Sequence, residues 1–564
     1  MAGSLAVRAW TLSLLGLALG FAGQQTPVIL ISIDTLRADH LGVYGYHNLP
    51  TPNIDSLANG GTVFTSVECQ VPLTLPSHAS LFTSTYPFES RVEENAERVP
   101  SGSLTLASVL RSNGYQTSAF IGSVFLEREM GLDQGFDEYD SPFHFQAFSP
   151  LSGSMFFGGT DRNPFKVRDR RDGSLVLAAA RRWLTSHRGQ PAFVFIHLFD
   201  LHKPYLPHPS HPDPPGSSGY DYELGYLDGE LGNFKKFLMD SGWWDRSLVV
   251  LLSDHGEGLG EHGEGSHGYF IYESTVRVPL IFHWPAASKG GAQQDSQPAG
   301  LIDVAPSILG YLHIPAPSTF EGIGLGAANG AVYSETTHTR DAFGWAPLRS
   351  LRLGKWKFIE APRPELYDLQ ADPREMRNLY RPGSPKAAEL RTRLDALLTS
   401  HRAHRTLSPG AISPQTHALL SSLGYLSGGP QAGYKGSAAD PKDRLAEYKL
   451  YESAQTHLYN RRFTDAATTL ERLLARDPKN LLARRDLCGT YVEEKQYAKA
   501  RPCFEAVVAA APADYMAEFE LGITEERLGL RDEAIRHLRV ACGIAPEAEQ
   551  CRHELQSLQS TKAR

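Results

Sequence analysis

The sequence predicts an α/β region, a mostly parallel sheet sandwiched by helices with a small C-terminal subdomain, followed by an all-α array of repeated helix pairs. Two observations carry this. Three short apolar runs are continuous rather than alternating, as in strands covered on both faces, and amphipathic stretches such as 105–112 and 174–186 alternate with them. Near the other end a 34-residue period runs through Pro478, Pro512 and Pro546, through Ala466, Ala500 and Ala534, and through Ala454, Cys488 and Gly522.

Taken in order, residues 1–22 carry one positive charge, Arg8, and then an apolar run too short to span a bilayer comfortably. Small residues around Gly20-Phe21-Ala22-Gly23 suit a signal peptidase, so the expectation is a cleaved signal and an exported protein, periplasmic, secreted or lumenal. An uncleaved N-terminal anchor is the alternative, and the one route to a membrane. The catalytic region is expected over 24–330, where each apolar run leads into polar residues. Val28–Ile33 ends at Asp34, 192–196 leads to His197, Asp200 and His202, and Leu248–Leu252 ends at Ser253-Asp254-His255. Ligands in open α/β sheets collect beyond the carboxyl ends of strands, so Asp34, Asp200, His202, Asp254 and His255 are expected to converge. Carboxylate oxygen with imidazole nitrogen is what a divalent metal needs. The segment from Asp254 to Gly268 adds three His and four acids among six Gly, a density that a solvated loop does not require.

A subdomain over 331–404 holds a polar and aromatic cluster, Glu335, His338, Arg340, Trp345, Arg349 and Arg352, placed either at a substrate entrance or in a structural hairpin. Gly, Ser and Pro mark a linker over 405–440 that includes one short helix. The repeats fill 441–559, with Pro ending each unit and small residues where helices cross. Lys plus Arg number 55 against 63 Asp plus Glu, a net charge of −8, and no basic run is long enough to neutralise a nucleic-acid backbone. Five Cys form no CxxC pair and leave at least one unpaired, which fits neither a zinc ribbon nor a disulfide scaffold; their pairing is left open.

The repeat residues resemble the tetratricopeptide repeat, which implies a protein partner on a concave surface. Val71-Pro72-Leu73-Thr74-Leu75-Pro76-Ser77-His78 resembles the sulfatase signature of the alkaline phosphatase superfamily, in which Cys or Ser, any residue, Pro, Ser and Arg open a helix. Residues 31–46, 51–65, 301–315 and 351–379 extend the likeness over most of 27–400. In sulfatases the Cys or Ser becomes formylglycine; Thr74 stands there, and a secondary alcohol oxidises only to a ketone, so no formylglycine is expected. His78 replaces the Arg, and 122–126 lacks a GKWH-like sequence.

Thr in this position resembles phosphodiesterases and phosphoethanolamine or phosphoglycerol transferases of the same superfamily, where it is metal ligand and nucleophile. Those transferases place a second His twelve residues beyond the Asp-His pair, as His267 stands to His255, and a His-x-Pro element matched by His202-Lys203-Pro204. The resemblance assigns Asp34, Thr74, Asp254 and His255 to a first metal. His202 and His267, with Asp200, go to a second metal or to the substrate phosphate. It makes Thr74 the nucleophile. A helix starting at Thr74 places the amides of Ser77 and His78 near the anionic group, and the His78 side chain either donates to the same oxygens or is a surface helix residue. One or two ions are implied; donors without thiolate favour Zn²⁺ or Mn²⁺, with Mg²⁺ or Ca²⁺ possible. The expected function is a metal-dependent hydrolase or transferase of phosphate mono- or diesters. The alternatives are a sulfuric ester hydrolase without formylglycine and a retired anion-binding scaffold serving the repeats.

Overall fold

The structure, a computed structural model, describes residues 25–143, 170–208, 219–285, 293–327, 330–401, 412–413, 416, 439–546 and 548–560. The expected signal segment and nearly all of the linker lie outside these. A large sheet is built from β1 (Val28–Ile33), β2 (Gly61–Glu68), β3 (Gln116–Phe120), β4 (Glu138–Asp140), β5 (Ala192–Leu198), β6 (Leu248–Leu252), β7 (Arg277–His283), β8 (Gln293–Asp295) and β9 (Ala299–Gly300). Its order is β4-β3-β5-β1-β6-β7-β2-β8, with β9 also on β2. β1 lies between β5 and β6 and is parallel to both, while β7 runs antiparallel to β6 and β2. Every residue of β1, β5 and β6 is buried, which is what their unbroken apolar runs require.

Around the sheet lie α1 (Thr74–Thr83), α2 (Leu106–Ser112), α3 (Gly173–Ser186), α4 (Gly219–Asp240) and α5 (Val304–Tyr311). Thr105 caps α2 by accepting from the Ser108 amide, while Ser108 Oγ accepts from the Thr105 amide. Two apolar clusters flank the sheet. Leu30, Phe193 and Val250 face one, and Ile29, Ile31, Val194 and Val249 the other. A second, antiparallel sheet, β10 (Ala331–Thr336), β11 (Leu348–Leu353), β12 (Trp356–Glu360) and β13 (Glu365–Asp368), accompanies α6 (His338–Phe343) and α7 (Pro385–His401). Here Arg352 pairs with Glu68 at 2.7 Å and Arg340 with Asp341 at 2.7 Å. Much of the cluster around 335–352 is thus spent in structural pairs.

Among the described residues the repeats are seven helices: α8 (Leu445–Tyr459), α9 (Phe463–Arg476), α10 (Leu481–Glu493), α11 (Tyr497–Ala510), α12 (Tyr515–Arg527), α13 (Arg531–Ile544) and α14 (Glu549–Ser560). Pro478, Pro512 and Pro546 each stand two residues beyond the second helix of a pair. The small positions are crossing points: Ala454, Cys488, Ala466, Ala500 and Ala534 are fully buried, and a Cβ on Gly522 would lie 2.8 Å from Leu538.

The cysteines correct the sequence reading. Cys488–Cys503 and Cys542–Cys551 are disulfides that join neighbouring helices of the array, α10 to α11 and α13 to α14, while Cys69 is free and buried. Helix pairing brings together residues whose sequence spacing matches no familiar framework. For the 15-residue separation of the first bridge, replacing both Cys488 and Cys503 by Ser should lower stability by about 3 kcal/mol. Urea unfolding of the full chain measures it, and an unchanged midpoint would contradict it.

Candidate active site

Asp34 follows β1 and Asp254 follows β6, so parallel pairing delivers both carboxylates to one end of the sheet. Between them the chain bends sharply at Thr35, a β-branched residue held at φ 56°, where side chains are sterically disfavoured. That turn aims the Thr35 amide at Asp254 Oδ1 (3.3 Å), and the Thr35 carbonyl accepts from Tyr220 Oη (2.9 Å). Leu36 N donates to Ser253 Oγ (2.9 Å), and Ser253 Oγ donates to the His255 carbonyl (2.6 Å), stitching the two strand ends together.

Thr74 is the first residue of α1 and is buried; its hydroxyl donates to Asp34 Oδ2 at 3.1 Å. Asp34, Asp254 and His255 offer ligand atoms that all lie within 4.8 Å of one another. Asp34 Oδ1, Asp254 Oδ2 and His255 Nε2 are buried with no hydrogen-bond partner. Orphaned atoms of this kind converging on one point fit a divalent cation. Burial pushes the Asp34 carboxyl up to about 6 and raises that of Asp254, to which Asp34 itself contributes. A cation would reverse both shifts.

The glycine-rich loop folds tightly behind this set: a Cβ on Gly256 or Gly258 would meet backbone oxygens at 2.2 and 2.4 Å. Arg37 Nη1 donates to the Glu257 carbonyl (3.0 Å) and pairs with Glu261 (2.8 Å), fastening the loop to β1. Glu257, wholly buried, holds His267 Nδ1 at 3.1 Å. His267 in turn lies 4.4 Å from His255 and 5.2 Å from His202, ring centre to ring centre. His202 Nδ1 donates to the Lys203 carbonyl (2.6 Å), and burial, with His267 alongside, keeps this imidazole well below its ordinary pKa. Asp34, Thr74, Asp254, His255, His267 and His202 therefore form one constellation.

Three expectations change. Asp200 does not join the set: its Oδ1 accepts from the Gly173 amide (2.9 Å) at the start of α3, and burial holds its carboxyl up to about 7. A strand-end Asp here accepts from the first amide of a helix that Asp172 caps, rather than joining the ligands. His78 is not turned to a substrate oxygen. Its Nδ1 donates to the Thr74 carbonyl (2.7 Å), its Nε2 accepts from Ser32 Oγ (2.9 Å), and burial drives its pKa down to about 4. It stays a neutral brace for the first turn of α1. The amides after Thr74 are also committed, Ser77 N to the Leu73 carbonyl (3.1 Å) and Leu75 N to Asn95 Oδ1 (2.9 Å).

One residue escapes the sequence reading, and a second, His197, is named there as a strand-end polar residue without a site role. Asn95 is fully buried, and beyond its bond to Leu75 it has an Nδ2 with no partner, one residue from the nucleophile position. No motif surrounds it, so nothing in the sequence marks it. His197 lies within β5, paired with Ser32 of β1, and its Nε2 is 3.6 Å from Asp34 Oδ2. Neither of its nitrogens has a hydrogen bond, and burial lowers its pKa to about 4. An imidazole in an otherwise apolar strand was the available signal. His197, His78 and Asp254 make a second group of possible ligands, but both His78 nitrogens are engaged. His197→Leu should weaken Mn²⁺ binding about 10- to 100-fold; titration calorimetry checks it, and unaltered affinity would leave His197 a packing residue.

A parallel-centred sheet with a buried Thr hydroxyl, paired carboxylates and imidazoles at its carboxyl end is the arrangement of an ester hydrolase of the alkaline phosphatase superfamily, and the family match agrees. The family model "Sulfatase" matches residues 26–314, that for the N-sulphoglucosamine sulphohydrolase C-terminal region matches 260–404, and a tetratricopeptide repeat model matches 457–520. The chain belongs to the sulfatase family.

An ulvan-active sulfatase of Formosa agariphila is 24% identical, covering 67% of this chain and 81% of that protein. Human arylsulfatase A is 25% identical, covering 66% and 77%. Among solved structures, one determined with its substrate D-glucosamine-2-N,6-O-disulfate matches with TM-score 0.54 and 20% identity, over 68% of this chain and 98% of that one. The phosphonate monoester hydrolase of Agrobacterium radiobacter matches with TM-score 0.52 and 21% identity, over 67% and 96%. Both solved structures share the fold.

Proposed function

We propose that this enzyme cleaves phosphate mono- or diesters by in-line attack of Thr74 Oγ1, through a phosphothreonine that water or an acceptor alcohol then discharges. The observation that carries the reading is the Thr74 hydroxyl, a secondary alcohol that cannot become formylglycine, at the start of a buried helix and hydrogen-bonded to Asp34. Asp34, Asp254 and His255, with His197 beside them, would hold a divalent cation, Zn²⁺ or Mn²⁺ by donor type. When bound, it supplies Lewis-acid charge and lowers the pKa of a neighbouring hydroxyl. Asp34 Oδ2 receives the Thr74 hydroxyl bond and orients its lone pairs toward the ester. His78 fixes the Thr74 carbonyl and so the first turn of α1. Asn95 Nδ2 supplies a donor for a nonbridging oxygen in place of the committed amides. His202 and His267, the latter oriented by Glu257, contact the phosphate or a second cation.

Sulfate esters are the second reading, favoured by the sulfatases among the relatives. A sulfated Thr, however, has no hydrate whose collapse would expel sulfate. The purified full chain assayed with p-nitrophenyl phosphate, bis-p-nitrophenyl phosphate and p-nitrophenyl sulfate, with Zn²⁺, Mn²⁺ and Ca²⁺, decides between them. Turnover of sulfate alone would reject the phosphoryl reading.

The same proposal places the enzyme outside the cytoplasm, which the two disulfides support. It gives the repeats a protein partner.

A further inference from the structure

The repeats are not a free appendage. Tyr448 and Tyr451 of α8 belong to the same apolar cluster as Tyr269, Phe343 and Trp345 of the catalytic region. The Tyr448 ring lies 4.0 Å from that of Tyr269, two residues past His267, and the Tyr451 ring 5.3 Å from that of Phe343. Backbone bonds secure the seam, with Ala346 N donating to the Ala439 carbonyl (2.9 Å) and Arg363 N to Asp440 Oδ2 (2.9 Å).

Polar contacts then run from α8 into the ligand loop. The Glu452 carboxylate accepts from Tyr448 Oη (2.7 Å) and lies against the Gly265 backbone. It sits so close to Gly265 that an added Cβ would meet Oε1 at 2.7 Å. The Gly265 carbonyl in turn accepts from Lys203 Nζ. Gly265 is two residues from His267, and Lys203 adjoins His202. One carboxylate from the repeats is therefore packed directly against the loop that carries one active-site imidazole, at the same glycine that is tied to the segment carrying the other.

We infer that Glu452 is a positioning residue of the active site, and that the first repeat helix completes the catalytic unit by fixing the Gly265 backbone between His202 and His267. The inference rests on the reading above, which places those two imidazoles at the substrate. Through α8, whatever occupies the repeats bears on the ligand loop.

The test uses the full-length chain with Glu452→Ala, Glu452→Gln, Gly265→Ala and the double variant Gly265→Ala/Glu452→Ala. Turnover of bis-p-nitrophenyl phosphate with Mn²⁺ is read alongside amide hydrogen exchange over 263–268 in the metal-free protein and thermal melting. Glu452→Ala should lower kcat about tenfold with KM little changed, since misplacement near the chemistry is costly. It should speed exchange over 263–268 about tenfold while exchange in β1 and β6 stays as in the parent. Glu452→Gln, which keeps the same shape against Gly265 and an acceptor for Tyr448 Oη, should restore both to within about twofold. Gly265→Ala should be impaired, and part of its loss should be recovered in the double variant, where the overlapping carboxylate is gone.

Glu452→Ala with kcat and loop exchange both within about twofold of the parent overturns the inference. So does a loss that comes with a uniform rise in exchange across the catalytic sheet. A parent protein inactive on every ester would reject the functional reading instead, and the exchange comparison would still decide the role of Glu452.

Discussion

Thr74→Ala should lower turnover of the preferred phosphate ester by at least about a thousandfold if, as proposed, it removes the nucleophile rather than a binding contact. The buried Asp34 carboxylate would also lose the hydroxyl it accepts from at 3.1 Å. Thr74→Ser keeps an Oγ in place and should retain activity to within about tenfold, the cost arising from a hydroxyl no longer held in one rotamer by a β-methyl group. A chase with substrate and rapid acid quench should show one phosphoryl group on the peptide containing Thr74, absent from Thr74→Ala. Two results would reject the assignment: activity surviving in Thr74→Ala, or turnover in which no adduct forms and solvent oxygen enters in a single displacement with inversion at phosphorus.

Asp254→Ala should abolish activity and weaken Mn²⁺ binding by at least about a hundredfold, since Asp254 belongs to both groups of possible ligands. Chelation should inactivate the parent in the same way, reversibly on adding Mn²⁺. The pH dependence follows from Asp34, whose carboxyl is held at about 6 in the metal-free protein against an ordinary 3.8, chiefly by burial. A folded-state value above the unfolded one contributes stability that is fully present below 3.8 and lost as pH rises through about 6. Metal-free protein should therefore melt lower at about pH 7.5 than at about pH 5.5. Mn²⁺-loaded protein should lose this penalty, and apparent metal affinity should fall as pH drops below about 6, where the cation must displace a proton. Melting points that move in parallel with and without Mn²⁺ would show that Asp34 and the cation do not share a site.

What the sequence disclosed follows from what local pattern encodes. Asp34, Asp254 and His255 were legible because each ends an apolar run, and parallel strands carry such ends to a common edge. The helix opened by Thr74 was legible from its motif. Asp200 looked the same in sequence, yet its carboxylate faces the first turn of α3, a choice made by how that helix packs rather than by neighbours in the chain. His197 was visible at the end of its run but drew no role, because an imidazole within β5 is indistinguishable from a packed core residue until β1 is laid beside it. Asn95 acts through Leu75 across twenty residues of chain, a distance at which no periodicity speaks. The disulfides arise from helix stacking, and the docking of α8 from Tyr448 and Tyr451, whose spacing reads equally well as ordinary repeat packing.

The shared apolar cluster also orders events during synthesis. Chains emerge N-terminus first, and the residues that would hold the cation are made before α8, which covers their loop. An incomplete chain thus carries Thr74 and the carboxylates but leaves Tyr269, Phe343 and Trp345 uncovered, and Gly265 lacks Glu452 beside it. Competence for catalysis would then arrive late, once the first repeat has folded back onto the core, and a ribosome stalled in the linker would yield a protein with all its ligands and an unfinished active site.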